Sequence, residues 1–169
     1  NMTTRWNILD VVGCSDLIEE RSAHRAEQFG IRQMTNEEIL NDPEIKIVVN
    51  TTYPTAHYEV SKAALLAGKN VHCEKMLAVT LEEGEELIAL AEQKGLKFGV
   101  APDTFLGASH QTARRIIDSG WIGEPFMVQA RVVRGYHPLM ERMEDFSFVF
   151  KEGGGIPFDM GGYYLHDMI

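Results

Sequence analysis

Along residues 8–102, short apolar runs alternate with longer stretches in which hydrophobic positions recur at helical spacing. "ILDVVGCSD" (8–16) is an apolar run closing on an acid, and "LIEERSAHRAEQFG" (17–30) then reads as a helix ended by Gly30. "TNEEILND" (35–42) is a short helix, with Thr35 as N-cap and Glu38 three residues on. "IKIVVNTT" (45–52) is apolar and β-branched throughout, the pattern of a strand buried on both faces. "PTAHYEVSKAALLAGK" (54–69) has Pro in its first turn and Gly68 past its last, and leads into the strand "NVHCEK" (70–75). "TLEEGEELIALAEQKG" (80–95) repeats the Thr-x-x-Glu cap and is followed by the strand "LKFGVAP" (96–102).

Strands alternating with helices through residue 102 predict an α/β fold, a doubly wound parallel sheet with right-handed crossovers. The rhythm then changes. "HQTARRIIDSGWIGEP" (110–125) predicts a helix ending at Gly120, and "FMVQARVVRGY" (126–136) a long strand of period two with one open face. The expected division is therefore 1–102 for the first domain and 103–169 for the beginning of a second. The ends, "NMTTRW" and "YYLHDMI", carry no start or stop signal, which reads as a piece of a longer polypeptide.

Composition narrows the class. A formal net charge of -9 argues against a grip on a polyanion, which needs a surplus of Lys and Arg to displace counterions, so no nucleic-acid partner is expected. No run approaches the roughly 18 apolar residues of a bilayer span, and no secretory signal opens the chain. Cys14 and Cys73, both in apolar strand-like runs, read as buried thiols, and a cytoplasmic location is the default.

In a doubly wound sheet, ligands bind beyond the carboxyl ends of the strands. The residues there are Asp16, Asn50 to Thr52, Glu74-Lys75 and Pro102-Asp103. Asp16 fits either a carboxylate accepting ribose hydroxyls or an acid ahead of a helix. Lys75 and Glu74 fit either a catalytic segment or a solvated pair. No G-x-G-x-x-G occurs, and "GGGIPFDMGG" (153–162) lacks the Lys-Ser/Thr of a phosphate loop. In "FDMGGYYLH" (158–166), read as a helix, Asp159 and Tyr163 share a face and His166 follows on the same side, so three proton-carrying groups converge. Gly161 and Gly162 inside that helix fit close approach of a ligand or of another backbone. Among the other histidines, His24 reads as solvated, His72 as structural, His110 as a helix-start residue and His57 as a local hydrogen-bonder, while His137 in a loop stays open for substrate contact. No metal-ligand spacing and no Ser or Cys nucleophile motif is present.

"VVNTTYPTAHYEVSKAALLAGKNVHCEKMLAVTLEEGEELIALAEQKGLKFGVAPDTF" (48–105) carries P-x-x-H, A-G-K-x-V and Glu-Lys blocks, and "GGGIPFDMGGYYL" (153–165) a Gly-rich segment before D-x-G-x-Y. In these two motifs the chain resembles the glucose–fructose oxidoreductase, inositol dehydrogenase and rhizopine-catabolism family (Gfo/Idh/MocA). The resemblance implies an NAD- or NADP-dependent oxidoreductase of sugars or polyols, with a Rossmann domain and a second α/β domain built on an open, mostly antiparallel sheet. It implies a homo-oligomer by analogy. Lys75 matches the family's catalytic lysine, Asp159 its substrate-orienting acid, and Tyr163 a position that is His or Tyr; His166 is an alternate proton relay. Asp16 matches the ribose carboxylate, and Thr51, Thr52, Pro54, His57 and Glu74 the nucleotide-lining segments. Lys75 is expected to lower the pKa of Tyr163 or to relay its proton. Ser15-Asp16 leans toward NAD, because a carboxylate repels a 2′-phosphate. The family's first strand and glycine loop have no counterpart here, and Met76 stands where the family has proline, so a cis peptide after Lys75 cannot be assumed. Two rival readings remain: a non-catalytic dinucleotide or sugar binder, and a truncated chain without activity of its own.

Overall fold

The computed structural model describes residues 3, 8–131, 133, 147–151, 154–166, 168 and 169. The central feature is a three-stranded parallel sheet in the order β3 (Ile47–Asn50), β4 (Asn70–Cys73), β5 (Phe98–Val100). Ile47 pairs with Asn70 and Asn50 with Cys73, and Val71 to Cys73 pair with Phe98 to Val100. The parallel crossovers run through α3 (Pro54–Leu66) and α4 (Leu81–Lys94). A second parallel pair joins β1 (Gly13–Cys14) to β2 (Arg32–Gln33) through α1 (Glu19–Phe29), and α2 (Asn36–Asn41) leads into β3.

Local chemistry sets the helix ends. Thr35 and Thr80 each accept the backbone N–H three residues on, while Glu38 and Glu83 reach back to the cap, so both capping boxes form. Gly30 and Gly95 close α1 and α4 in the left-handed conformation, at φ 65° and 66°, where a Cβ is disfavoured. Pro54 opens α3 at a position that needs no N–H donor.

The core lies between the sheet and one helical layer. Ala64 and Leu65 of α3, Val71 and Cys73 of β4, and Leu87 and Ala91 of α4 form one buried cluster. Leu87 is fully buried there. Leu87→Ala is expected to lower unfolding stability by about 2–5 kcal/mol, read as an earlier urea midpoint, because the cavity collapses only partly. Burial also pushes the Cys73 thiol up to about 11, so it is a packing group rather than a nucleophile.

Three expectations change. The apolar run 45–52 is not buried on both faces: Ile47 is 51% and Val49 40% exposed, while Val48 and Asn50 turn toward the core. The helical layer covers one face of this sheet, so its strands alternate despite their apolar sequence. The run 8–16 condenses to the two residues of β1, because a ladder extends only as far as its partner, here the two residues of β2. The strand expected over 126–136 does not form in its described part, where residues 126–131 and 133 are exposed and irregular. Alternation there marks a face without a partner strand among the described residues. His137 lies outside the described residues.

Beyond β5 the chain makes a short 3-10 turn at Thr104–Leu106 and then α5 (Ala108–Asp118), with Gly120 at φ 74° past its end. After a further 3-10 turn at Ser147–Phe150, α6 (Ile156–His166) returns against the first of these turns. No helix among the described residues is long and apolar enough to cross a membrane.

Candidate active site

The strands among the described residues are all parallel, so their carboxyl ends share one edge of each sheet. Asp16 follows β1, Thr51 and Thr52 follow β3, Glu74 and Lys75 follow β4, and Pro102 follows β5. Asp16 is exposed, and its Oδ1 accepts the Ile18 N–H at 2.8 Å just ahead of α1. The bland role expected of this acid is therefore present, with the carboxylate still open to solvent. Thr51 and Thr52 are exposed, and Thr52 donates through Oγ1 to Asn50 Oδ1 at 2.7 Å. Pro54 is half-buried at the start of α3.

Glu74 and Lys75 are not a solvated pair with one another. The Glu74 carboxylate turns back on the main chain and accepts the Lys75 N–H at 2.8 Å, while the Glu74 N–H donates to the Asn50 carbonyl at 2.8 Å. The Lys75 side chain leaves in another direction. Its Nζ forms an ion pair with Asp159 Oδ1 and donates to the Asp159 carbonyl at 2.8 Å. Both side chains are largely shielded, at 22% and 14% exposure, so the pair is poorly screened by solvent. The same ammonium stands 5.9 Å from the centroid of the Tyr163 ring, within cation–π range.

Asp159 and Tyr163 are one helical turn apart on α6, and Asp159 lies in its first turn, where the helix dipole favours a carboxylate. His166 is three residues further on, with Nδ1 3.0 Å from the Gly162 carbonyl oxygen and its ring 5.5 Å from that of Phe105. Gly162 faces Pro102, whose ring carbon a Cβ would meet at 3.7 Å, so the glycine is set for ordinary packing of α6 on the end of β5. A cleft of about 350 Å³ opens between these elements, lined by Lys75, Met76, Pro102, Asp159, Tyr163 and His166 among others. Residues far apart in sequence thus share one cavity.

The Lys75–Met76 peptide is cis, although no proline follows it. Lys75 pulls the Tyr163 phenol down, as expected, but it does not set the net shift. Burial pushes its phenol above the ordinary value, and the Lys75 charge, which pulls it down, is outweighed by burial together with Glu74, Asp103 and Asp159. His57 is 1% exposed, with both ring nitrogens against backbone carbonyls, and so is shut off from solvent at the edge where Thr51 and Thr52 are open. His24 and His72 are exposed, and His110 lies in the first turn of α5. Among the described residues no group of three His, Cys, Asp or Glu side chains is placed to hold a metal ion.

Sequence reasoning marked Asn50 only as a strand-end residue, yet its amide organises the corner after β3. A polar residue closing an apolar β-branched run was the available signal. Phe105, set against His166, had no such signal, because that contact depends on the return of α6.

Over 148 residues the chain is 34% identical to the 1,5-anhydro-D-fructose reductase of Ensifer adhaerens, a match covering 86% of this chain and 44% of the relative. A biliverdin reductase from Synechocystis sp. PCC 6803, solved with biliverdin and NADP+, superposes with a TM-score of 0.58 at 37% identity, over 68% of this chain and 36% of that one. The fold also matches a myo-inositol 2-dehydrogenase from Lactobacillus plantarum, with a TM-score of 0.78 at 21% identity, over 99% of this chain and 50% of that one. The chain therefore spans half or less of the length of each. Residues 1–101 match the family described as oxidoreductases with an NAD-binding Rossmann fold, and the chain belongs to that family, GFO_IDH_MocA.

Proposed function

We propose that the whole protein transfers a hydride between a nicotinamide dinucleotide and a secondary alcohol carbon of a sugar, polyol or related compound. The observation that carries this reading is the meeting of Lys75, Asp159 and Tyr163 in one cleft at the carboxyl edge of a parallel sheet. A hydroxyl placed in that cleft meets an ammonium donor, a carboxylate acceptor and a phenol within one constellation. When bound, the dinucleotide supplies the hydride donor or acceptor.

The residues at the strand ends fit such a cofactor in kind. Asp16 would accept the ribose hydroxyls, and Thr51, Thr52, Pro54 and Glu74 would line the nucleotide beside Lys75. We place the division between a dinucleotide-binding domain and the start of a substrate domain near residue 103, so that α6 brings the substrate side of the cleft to the cofactor side. A cytoplasmic location accords with the free thiols Cys14 and Cys73. A homo-oligomeric state is carried over from the family.

In this reading Asp159 orients the substrate hydroxyl, Lys75 holds Asp159 in place and stabilises negative charge on the reacting oxygen, and Tyr163 gives or takes the hydroxyl proton. His166 opens a second proton path along α6. Because burial raises the Tyr163 phenol, it stays protonated through neutral pH, which suits proton donation during carbonyl reduction. In the alcohol-oxidising direction, turnover should therefore rise with pH on the alkaline side as the phenol ionises. Tyr163→Phe is expected to lower kcat by about 10²-fold and to flatten that alkaline rise, with nucleotide binding retained. A pH profile of alcohol oxidation in the whole protein checks this, and an unchanged profile counts against the role.

Asp16 makes NAD the favoured cofactor, since its carboxylate accepts from ribose hydroxyls and repels a 2′-phosphate. Asp16→Ser should narrow the NAD-over-NADP ratio of kcat/KM by about tenfold, the worth of one charged hydrogen bond. A protein that binds the dinucleotide and turns over no polyol would instead be the non-catalytic homologue. Nicotinamide fluorescence titration followed by a polyol turnover screen separates the two.

A further inference from the structure

Between the end of β3 and the loop after β4 lies a group of buried polar side chains to which the chemistry above gives no task. Asn50, His57 and Ser61 are 2%, 1% and 1% exposed. Buried polar groups are costly unless their donors and acceptors are matched, and here they are. Asn50 Nδ2 donates to the His57 carbonyl at 3.1 Å and to Ser61 Oγ at 3.0 Å, while its Oδ1 accepts the Thr52 N–H at 3.2 Å and the Thr52 hydroxyl. This ties the corner after β3 to the first turns of α3. The His57 ring extends the tie to a second loop. Its Nε2 is 2.8 Å from the Thr52 carbonyl oxygen and its Nδ1 2.5 Å from the Met76 carbonyl oxygen. Carbonyl oxygens only accept, so each contact is a hydrogen bond where its ring nitrogen carries the proton, and a hold on Met76 needs that proton on Nδ1.

Met76 is the residue after Lys75. β4 ends at Cys73 and α4 begins at Leu81, so the segment that carries Lys75 has neither ladder nor helix bonds to fix it. On its upstream side it is held by the Glu74 N–H on the Asn50 carbonyl, and on its downstream side by His57. Both holds lead to the same Asn50–Thr52 corner. We propose that His57 is a positioning residue for Lys75: the ring is a stiff strut that holds the Met76 carbonyl at a set distance from that corner and so fixes where the Lys75 ammonium meets Asp159. The proposal rests on the reading of Lys75 as a catalytic group. It also accounts for a histidine that is sealed from solvent at an edge otherwise open to ligand.

The two ring nitrogens can be tested separately, because an Asn amide nitrogen falls near the position of Nδ1 and a Gln amide nitrogen near that of Nε2. In the whole protein, His57→Asn keeps a donor for Met76 and should hold kcat within about threefold of the parent. His57→Gln keeps the donor for Thr52 but loses the one for Met76. It should lower kcat by about 30-fold or more, with the KM for the nicotinamide dinucleotide within about threefold, and should shift the backbone amide resonances of Lys75 to Leu77. An undiminished kcat in His57→Gln, or equal losses in both variants, would overturn the proposal. If either variant fails to fold, the parent protein decides: nitrogen-15 spectra should show a slowly exchanging His57 Nδ1–H with a proton contact to Met76, and a proton-free Nδ1 would sink the strut. Absence of any polyol turnover in the parent would instead remove the functional reading, while the amide shifts and the Nδ1–H signal would still test how His57 holds the loop.

Discussion

Lys75→Met is expected to lower kcat for polyol oxidation by about 10³-fold in the whole protein, while the KM for the dinucleotide changes by less than about threefold. The substitution keeps most of the apolar stem and removes only the ammonium, so the cleft wall is preserved. The charge removed does three things at once. It pairs with Asp159, it donates to the main-chain carbonyl of the same residue, and it stands over the face of Tyr163. Without it, Asp159 keeps its place in the first turn of α6 but loses the partner that fixes its carboxylate toward the cleft. Negative charge developing on a substrate oxygen would then meet no cation from Lys75 in a site shielded from water, and that is where such a charge counts most. Steady-state kinetics that separate kcat from KM check this. Undiminished turnover would remove Lys75 from the chemistry.

The second large effect concerns its partner. Asp159→Asn keeps the shape of the side chain and its place on α6 but cancels the charge that holds the Lys75 ammonium. The expected outcome is a fall of about 10²-fold in kcat/KM for the alcohol, carried by both terms, because a hydroxyl then lacks its carboxylate acceptor and Lys75 its anchor. The phenol of Tyr163 should ionise more readily in this variant, since Asp159 is one of the groups that push it up. An alkaline limb displaced to lower pH in Asp159→Asn is the sign to look for. An unmoved limb would mean that the Asp159 charge does not act on the phenol.

What could be read from the sequence was chiefly local. The capping boxes at Thr35 and Thr80 and the left-handed glycines at 30 and 95 depend on neighbours within a turn, and each falls where the pattern placed it. The convergence of Asp159 and Tyr163 needed only helical periodicity, whereas their meeting with Lys75 was legible through the resemblance to a family and not through spacing. What could not be read depends on partners distant in the chain. An apolar run does not reveal whether both sides of its sheet are covered, so Ile47 and Val49 looked buried and are exposed. The length of a strand is set by its neighbour, which is why the run around β1 pairs over only two residues. The upward shift of Tyr163 is a contest between burial and four surrounding charges, of which only the pull of Lys75 was weighed from the sequence. His57 was read from the residues as a local hydrogen-bonder and through the resemblance as a nucleotide-lining residue; the fold bears out the first and alone shows that its partners are the carbonyls of Thr52 and Met76.

The most direct measurement follows the hydride itself. The whole protein would be incubated with oxidised dinucleotide and with inositols or anhydro-sugar alcohols that carry deuterium on their carbinol carbons, and the nicotinamide then examined by NMR. The expected result is one deuterium on the reduced nicotinamide ring per carbonyl formed, with labelling slowed in Lys75→Met in proportion to kcat. A dinucleotide that binds but stays unlabelled across these alcohols would contradict hydride transfer at this cleft.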